Sequence, residues 1–289
     1  MGAKNFLHSN WTYMLWFILY YCLAWAILGG NLTSFIIVSL IYGISISVAL
    51  SPVGEVILQI SEDLREPATE QEINYLLPMF EEVHEYAKEA NPKLNQGIKL
   101  YIIDAMYVNA FAMGRKTVAV TRGAIATFSA DQLKAIIAHE LGHITHGHTK
   151  ALLLSVIGNF FFSVIVWVFR LLFFILQTIT NMMAQSNIMG LFFSLMTSMI
   201  RFFLDLTVLV FINLSEMILA SNSRTNEIQA DTFAYELGYG RDLISGMYLL
   251  QKMEINTKVK LVERLKASHP HIAHRIANLE KLENEELEA

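Results

Sequence analysis

The sequence holds one cysteine, Cys22, within an apolar run. That excludes a disulfide framework and any cysteine-based metal site, and it fits a reducing compartment. No block of basic residues occurs. The 21 Lys and Arg against 26 Asp and Glu give a formal net charge of −5, which offers nothing to grip a nucleic-acid backbone. Internal repeats, low-complexity tracts and a glycine pattern for nucleotides are also missing. The most telling shortage is of charge itself. Only 16% of residues are charged, where a soluble domain carries about a quarter, and 54% are hydrophobic.

The shortage is local. Between Lys4 and Glu55 there is no Asp, Glu, Lys or Arg. Two spans fit inside, Tyr13 to Leu28 and Thr33 to Leu50, split by Gly29-Gly30-Asn31. Each approaches the ~20 residues that cross about 30 Å of hydrocarbon. A cleaved signal peptide fits poorly, because no clear small-x-small site is present and a second span follows at once. A retained helical hairpin is expected. A second hairpin is expected from Leu152 to Leu176 and Ile188 to Asn213, although Arg170, Arg201 and Asp205 interrupt it. Arg201 and Asp205 stand four apart, suited to pairing within one helix or to lining a groove. Arg170 is expected to snorkel to the far interface. The chain thus divides into an N-terminal transmembrane hairpin (1–52), a first soluble half (53–150), a second membrane-embedded hairpin (151–214) and a second soluble half (215–289). The two loops at the hairpin tips lack Lys and Arg, whereas Lys4, Arg65, Lys150 and Arg224 flank the other helix ends. Both termini and both soluble halves are therefore expected in the cytoplasm.

The soluble halves carry legible punctuation. Thr69 with Glu72 makes a capping box before the apolar positions Ile73, Leu76, Leu77, Phe80, Val83 and Ala87, with Pro78 as a potential break. Ile98 to Ile103 and Val118 to Thr121 read as strands. Ser129 with Gln132 opens a helix that runs through Leu133, Ile136 and Ile137 into His139-Glu140-Leu141-Gly142-His143. On a helix, histidines at i and i+4 share a face and can share a metal. Glu140 can then serve as general base toward a metal-activated water, whose pKa zinc lowers to about 7.

A third ligand is required. His146 shares the histidine face, but seven residues of helix rise about 10 Å, too far for one ion. His146 and His148 are read as exposed or as supporting residues outside the ligand set. Glu227 is the better candidate, with Asp231 four residues on to accept the second ring N–H of a histidine. From spacing alone, a solvated acidic helix face explains Glu227 and Asp231 equally well.

Together these residues resemble the HtpX family of membrane zinc metalloproteases, relatives of the CAAX-prenyl proteases. The resemblance rests on four ordered motifs: Asn109-Ala110-Phe111-Ala112-Met113-Gly114, the segment 139–143, Ser223-Arg224-Thr225-Asn226-Glu227-Ile228-Gln229-Ala230-Asp231, and His269-Pro270 with Arg275-Ile276. It implies an α+β, mainly helical fold: a zincin-like (gluzincin) catalytic domain with a small edge-exposed sheet, fused to two transmembrane hairpins. It also implies one Zn²⁺ per subunit held by His139, His143 and Glu227, with Glu140 as base. Asn109, Ala110 and Phe111 would form an edge strand that pairs with an extended substrate. His269 is a candidate oxyanion stabiliser, or a structural residue before Pro270. Arg224 would pair with Asp231 or another carboxylate, and Arg275 would anchor the C-terminal helix. The implied role is quality control at the cell (inner) membrane. Its partners would be the lipid bilayer, misfolded or membrane-protein substrates, and membrane proteases or chaperones. Two other classes compete. A zinc transporter would place its ligands inside the spans, and an inactive scaffold would be expected to lack Glu140 or a ligand.

Overall fold

Gly29 and Gly30, at φ of +110° and +64°, reverse the chain between helices α1 (Trp11–Ile27) and α2 (Leu32–Ala49). Both angles lie where a Cβ is disfavoured. Asn31 and Ser34 then cap α2 reciprocally, each side chain accepting the other's backbone N–H at 2.8 and 3.0 Å. The two helices pack antiparallel through aromatic edges, Phe17 on Tyr42 and Tyr21 on Phe35, and through a 2.7 Å bond between Tyr21 and Ser39. This computed structural model describes residues 11–61, 63–92, 94, 97–185, 187–254 and 272–288.

Helix α3 (Pro52–Ser61) follows and exposes Val53, Val56 and Ile60. Beyond it, the expected capping box is present but embedded in a larger clip. The Glu72 carboxylate accepts the backbone N–H groups of Ala68 and Thr69, and its own N–H donates to Thr69 Oγ1. Arg65 Nη1 and Nη2 donate to the same carboxylate at 2.9 and 2.7 Å, and Arg65 also reaches Asp104. Backbone bonds between Arg65 and Ile102 complete the clip. Residues Glu72–Leu76 wind as a π-turn, and α4 (Leu77–Ala90) begins afresh with Pro78 in its first turn. Pro78 therefore does not break the helix, because a first-turn N–H has no intrahelical partner to lose.

Among the described residues the sheet has three strands, in the order β1 (Lys99–Ile103), β3 (Thr117–Thr121), β2 (Ala110–Met113). β1 runs parallel to β3, with Lys99 opposite Thr117. β2 runs antiparallel to β3, with Ala110 opposite Val120. β3 is buried throughout, as a central strand must be, and β2 lies at the edge. Thr121 ends β3 by donating to Tyr107 O and by capping the short helix α5 (Arg122–Thr127). Gly123 is required there, since a Cβ would stand 2.3 Å from Met106 O.

Ser129 and Gln132 form the second capping box in both directions and open α6 (Ala130–His146). Gly147, at φ +75°, ends α6 and turns directly into α7 (His148–Ala184). α8 (Ile188–Ala234) returns as one 47-residue helix, then a π-turn at Tyr235–Tyr239 leads to α9 (Gly240–Glu254). α10 (Ile272–Glu288) closes the described chain. Segments Val166–Ala184 of α7 and Ile188–Val210 of α8 are long and apolar enough to cross a membrane, and α1 and α2 contain shorter apolar stretches. Their outer faces expose large apolar side chains such as Leu40, Ile44, Trp167, Phe174 and Phe192.

One core joins the regions on either side of the α7–α8 hairpin. Phe80 and Val83 of α4, Ile102 and Val120 of the sheet, and Ile137 and Leu141 of α6 pack with Phe233 of α8, Leu243 of α9 and Leu279 of α10. Within the hairpin, the expected pair of Arg201 with Asp205 is joined by a second cation, Arg170. Arg170 donates to Asp205 across the two helices at 2.8 Å, whereas Arg201 lies 3.9 Å from Asp205. Spacing along one helix favours the pair at i and i+4, but the interhelical contact is the shorter.

The Arg65 clip yields a pH-dependent prediction. The Arg65 guanidinium, against the cost of burial, holds the Glu72 carboxyl well below the usual carboxylate range. Because the folded state binds this proton less readily than the unfolded chain, the stabilisation is present above about pH 4 and is lost as pH falls below it. Glu72→Gln should cost about 2 kcal/mol at neutral pH. In thermal unfolding of the detergent-solubilised chain, its deficit relative to wild type should shrink below about pH 4.

Candidate metal centre

Helices α6 and α8 cross with their backbones nearly in contact. A Cβ added at Gly142 would stand 3.0 Å from Ala230 Cα and 3.2 Å from the Phe233 ring. The absence of a side chain at Gly142 and the single methyl of Ala230 thus let His139 and His143 face Glu227 and Asp231. His139, Glu140, Glu227 and Asp231 are all buried.

The three candidate ligands converge. His139 Nε2 and His143 Nε2 lie 3.2 Å apart. Glu227 places one carboxylate oxygen 3.4 Å from His139 Nε2 and the other 3.4 Å from His143 Nε2. Ligands on a tetrahedral ion with ~2.1 Å bonds stand about 3.4 Å apart. The donor set, two imidazoles and a carboxylate gathered within 4.8 Å, is near that spacing and fits zinc by its chemistry.

Two hydrogen-bond chains aim the histidines. Asp231 Oδ1 accepts from His139 Nδ1 at 2.9 Å, which directs the Nε2 lone pair toward Glu227. On the other side, His148 Nε2 donates to Gln229 Oε1 at 3.0 Å. His148 Nδ1 is then left to accept from His143 Nδ1, also at 3.0 Å. Burial, with His143 adding to it, pushes His148 down to about 3, so it remains neutral. The left-handed turn at Gly147 is what brings His148 back against His143. His146 points elsewhere, its Nδ1 on Gly142 O.

Arg275 of α10 lies across both carboxylates. Its Nη1 is 2.9 Å from Glu227 Oε2, and its Nε and Nη2 bind Asp231 at 2.8 and 2.6 Å. Arg275 is thus the guanidinium on Asp231, the place sequence reasoning offered to Arg224. Both Asp231 oxygens are taken, and Arg224 lies about 10 Å back along α8. Two buried carboxylates face one guanidinium, so the cluster is short of positive charge. The electrostatics of His139 report the same deficit. Burial and the Arg275 charge pull its imidazole down, but Asp231 and Glu227 outweigh them and push it up to about 10. Carboxylates that favour a bound proton here also favour a bound cation.

The remaining sequence candidates have separate places. Asn109 is exposed at the start of β2, and Ala110 and Phe111 are half-buried within it. β2 packs on α6, and its outer edge has no strand partner among the described residues. His269 lies outside the described residues. Sequence reasoning missed Arg275 as a partner of the site and left His148 open. It did not single out Gln229, whose one signal was its place between Glu227 and Asp231.

A model of peptidase family M48 matches residues 79–283. The chain is 27% identical over 278 residues to Protease HtpX of Alcanivorax borkumensis, covering 88% of this chain and 87% of that protein. It is 27% identical over 221 residues to a Protease HtpX homolog of Desulfotalea psychrophila, covering 69% and 73%. The crystal structure of S. mikatae Ste24p superposes with a TM-score of 0.52 at 19% identity over 91% of this chain. This chain spans 62% of that structure's length, and the likeness is one of fold.

The geometry ranks the residues by their effect on metal. Glu227→Ala should abolish stoichiometric zinc. Asp231→Ala should weaken zinc about 10- to 100-fold by freeing the His139 ring. His146→Ala should leave it unchanged. Metal analysis after dialysis against a graded chelator series checks the order.

Proposed function

The chain belongs to peptidase family M48, and from that we propose that it is a membrane-bound zinc endopeptidase acting on membrane and membrane-proximal proteins. The observation that carries this reading is the convergence of His139, His143 and Glu227, whose donor atoms lie within 4.8 Å of one another.

His139, His143 and Glu227 would hold the ion. When bound, zinc supplies a Lewis acid that polarises the scissile carbonyl and makes water acidic enough to attack near neutral pH. Glu140, buried beside His139, takes the proton from the attacking water and passes it to the departing amine. Asp231 and His148 keep the histidine lone pairs aimed, and Arg275 balances the two carboxylates. The free edge of β2 pairs with an extended peptide backbone, with Asn109 at its start holding a peptide group. His269 is assigned to the oxyanion. Backbone pairing of this kind is indifferent to side chains and suits clearance of damaged proteins.

Several contacts support a location against the bilayer. Thr149 Oγ1 donates to Gly114 O at 2.7 Å, and Arg115 reaches Leu50 O. The turn after β2 is therefore held between the end of α2 and the start of α7, where both helices leave the catalytic region. The exposed Val53, Val56 and Ile60 of α3 form an apolar face next to the same place, as an interfacial helix requires. The basic residues flanking the helices support a cytoplasmic location for the catalytic region. An inactive scaffold is disfavoured, since Glu140 and all three ligands are present.

Glu140→Gln tests the chemistry. In the purified full chain it should keep one zinc per chain and lower casein hydrolysis by about 10²- to 10⁴-fold. Hydrolysis near the wild-type rate would overturn the assignment of the base.

A further inference from the structure

The α7–α8 hairpin contains polar residues that the peptidase reading does not use. Gln177 Nε2 donates to Asn181 Oδ1 at 2.8 Å, Ser194 Oγ to the same oxygen at 2.6 Å, and Ser198 Oγ to Gln177 Oε1 at 3.1 Å. Gln177, Asn181, Ser198 and Arg201 line a recess of about 430 Å³. That is room for a small molecule rather than for a single ion. Phe202 and Asp205 also line a second recess of about 390 Å³, which continues along Leu206, Val208 and Leu209. The first recess mixes polar and apolar surface, the second is largely apolar, and the two are contiguous.

Charge in this region is unbalanced. Asp205 is neutralised by Arg170 at 2.8 Å, while Arg201 stands at 3.9 Å, outside hydrogen-bond range. Two guanidiniums against one carboxylate leave an excess positive charge on Arg201, beside two carboxamides and a hydroxyl. This is the chemistry of a phosphate site.

Depth decides the source of the phosphate. Trp16 and Tyr20, at the middle of α1, pack against Val166 of α7. If α1 crosses the bilayer symmetrically, Val166 marks the midplane. Gln177 then lies about 16 Å further along α7, at the edge of a hydrocarbon half-layer about 15 Å deep. Arg201, one turn nearer the midplane on α8, can extend its side chain outward to the same level. The apolar recess at Leu206 to Leu209 runs from there toward the midplane. Head level and chain direction are those of a lipid in the leaflet distal to the catalytic region.

We propose that this recess binds one anionic phospholipid of the distal leaflet, its phosphate on the Arg201 guanidinium beside Gln177 and its acyl chain along Phe202, Leu206 and Leu209. The proposal rests on the membrane reading above. Native mass spectrometry of the full chain, released from bilayers of equimolar phosphatidylglycerol and phosphatidylcholine, tests it. Wild type should retain one phosphatidylglycerol about fivefold over phosphatidylcholine. Arg201→Gln should erase that preference, Arg201→Lys should restore part of it, and Leu209→Trp should lower retention of both lipids. Equal retention of the two lipids by wild type, or an unchanged preference in Arg201→Gln, would overturn the site. Displacement by inorganic phosphate would show a free-anion site instead. Preferential retention of a co-reconstituted transmembrane peptide bearing one Asp would show a protein-docking site, and either result contradicts the lipid assignment. Fractionation of the full chain is the control: recovery in the soluble fraction would overturn the membrane reading itself, separately from the lipid preference.

Discussion

The close crossing of α6 and α8 at Gly142 and Ala230 is the constraint on which the site depends. Two helices whose backbones nearly touch have little freedom to slide, and the ligands project from the same crossing. His139 and His143 flank Gly142, one turn apart. Glu227 and Asp231 flank Ala230 in the same way. Converging three side chains at 3.2 to 3.4 Å spacings needs the backbones close, because the carboxylate side chain is short. A metal site tolerates errors of only about 0.2 Å in its bonds. The remaining contacts hold this crossing: Asp231 on His139, His148 on His143, and Arg275 across both carboxylates.

α8 adds a second constraint. It runs unbroken from Ile188 to Ala234, about 70 Å at 1.5 Å per residue. The same rod carries Arg201 and Asp205 at one end and Glu227 and Asp231 at the other. The position of the carboxylate ligand is therefore tied to the packing of the α7–α8 hairpin. The regions before and after that hairpin share one core, which brings α6 and the C-terminal part of α8 together.

What could be read from sequence followed local rules. The histidine pair at i and i+4, the capping boxes at Thr69–Glu72 and Ser129–Gln132, and the bend at Gly147 each need only a few neighbouring residues. Pro78 was ambiguous because its effect depends on whether it falls inside a helix or in its first turn, and the π-turn before it decides that. Arg275 was illegible as a partner of Asp231, since the contact joins residues 44 apart and only the packing of α10 creates it. The partner of Arg170 was illegible for the same reason: Asp205 is its neighbour on another helix. His148 was left open between an exposed and a supporting place because a helical projection through Gly147 points it away from His143, whereas the left-handed turn returns it.

The central claim is that the Gly142–Ala230 contact sets the ligand spacing. The most direct test is the zinc dissociation constant of Gly142→Val in the full chain, measured by chelator competition with helix content followed by circular dichroism. Valine forces the helices apart at the ligands, so the account predicts affinity at least tenfold weaker with the helices retained. Wild-type affinity in that variant would contradict it.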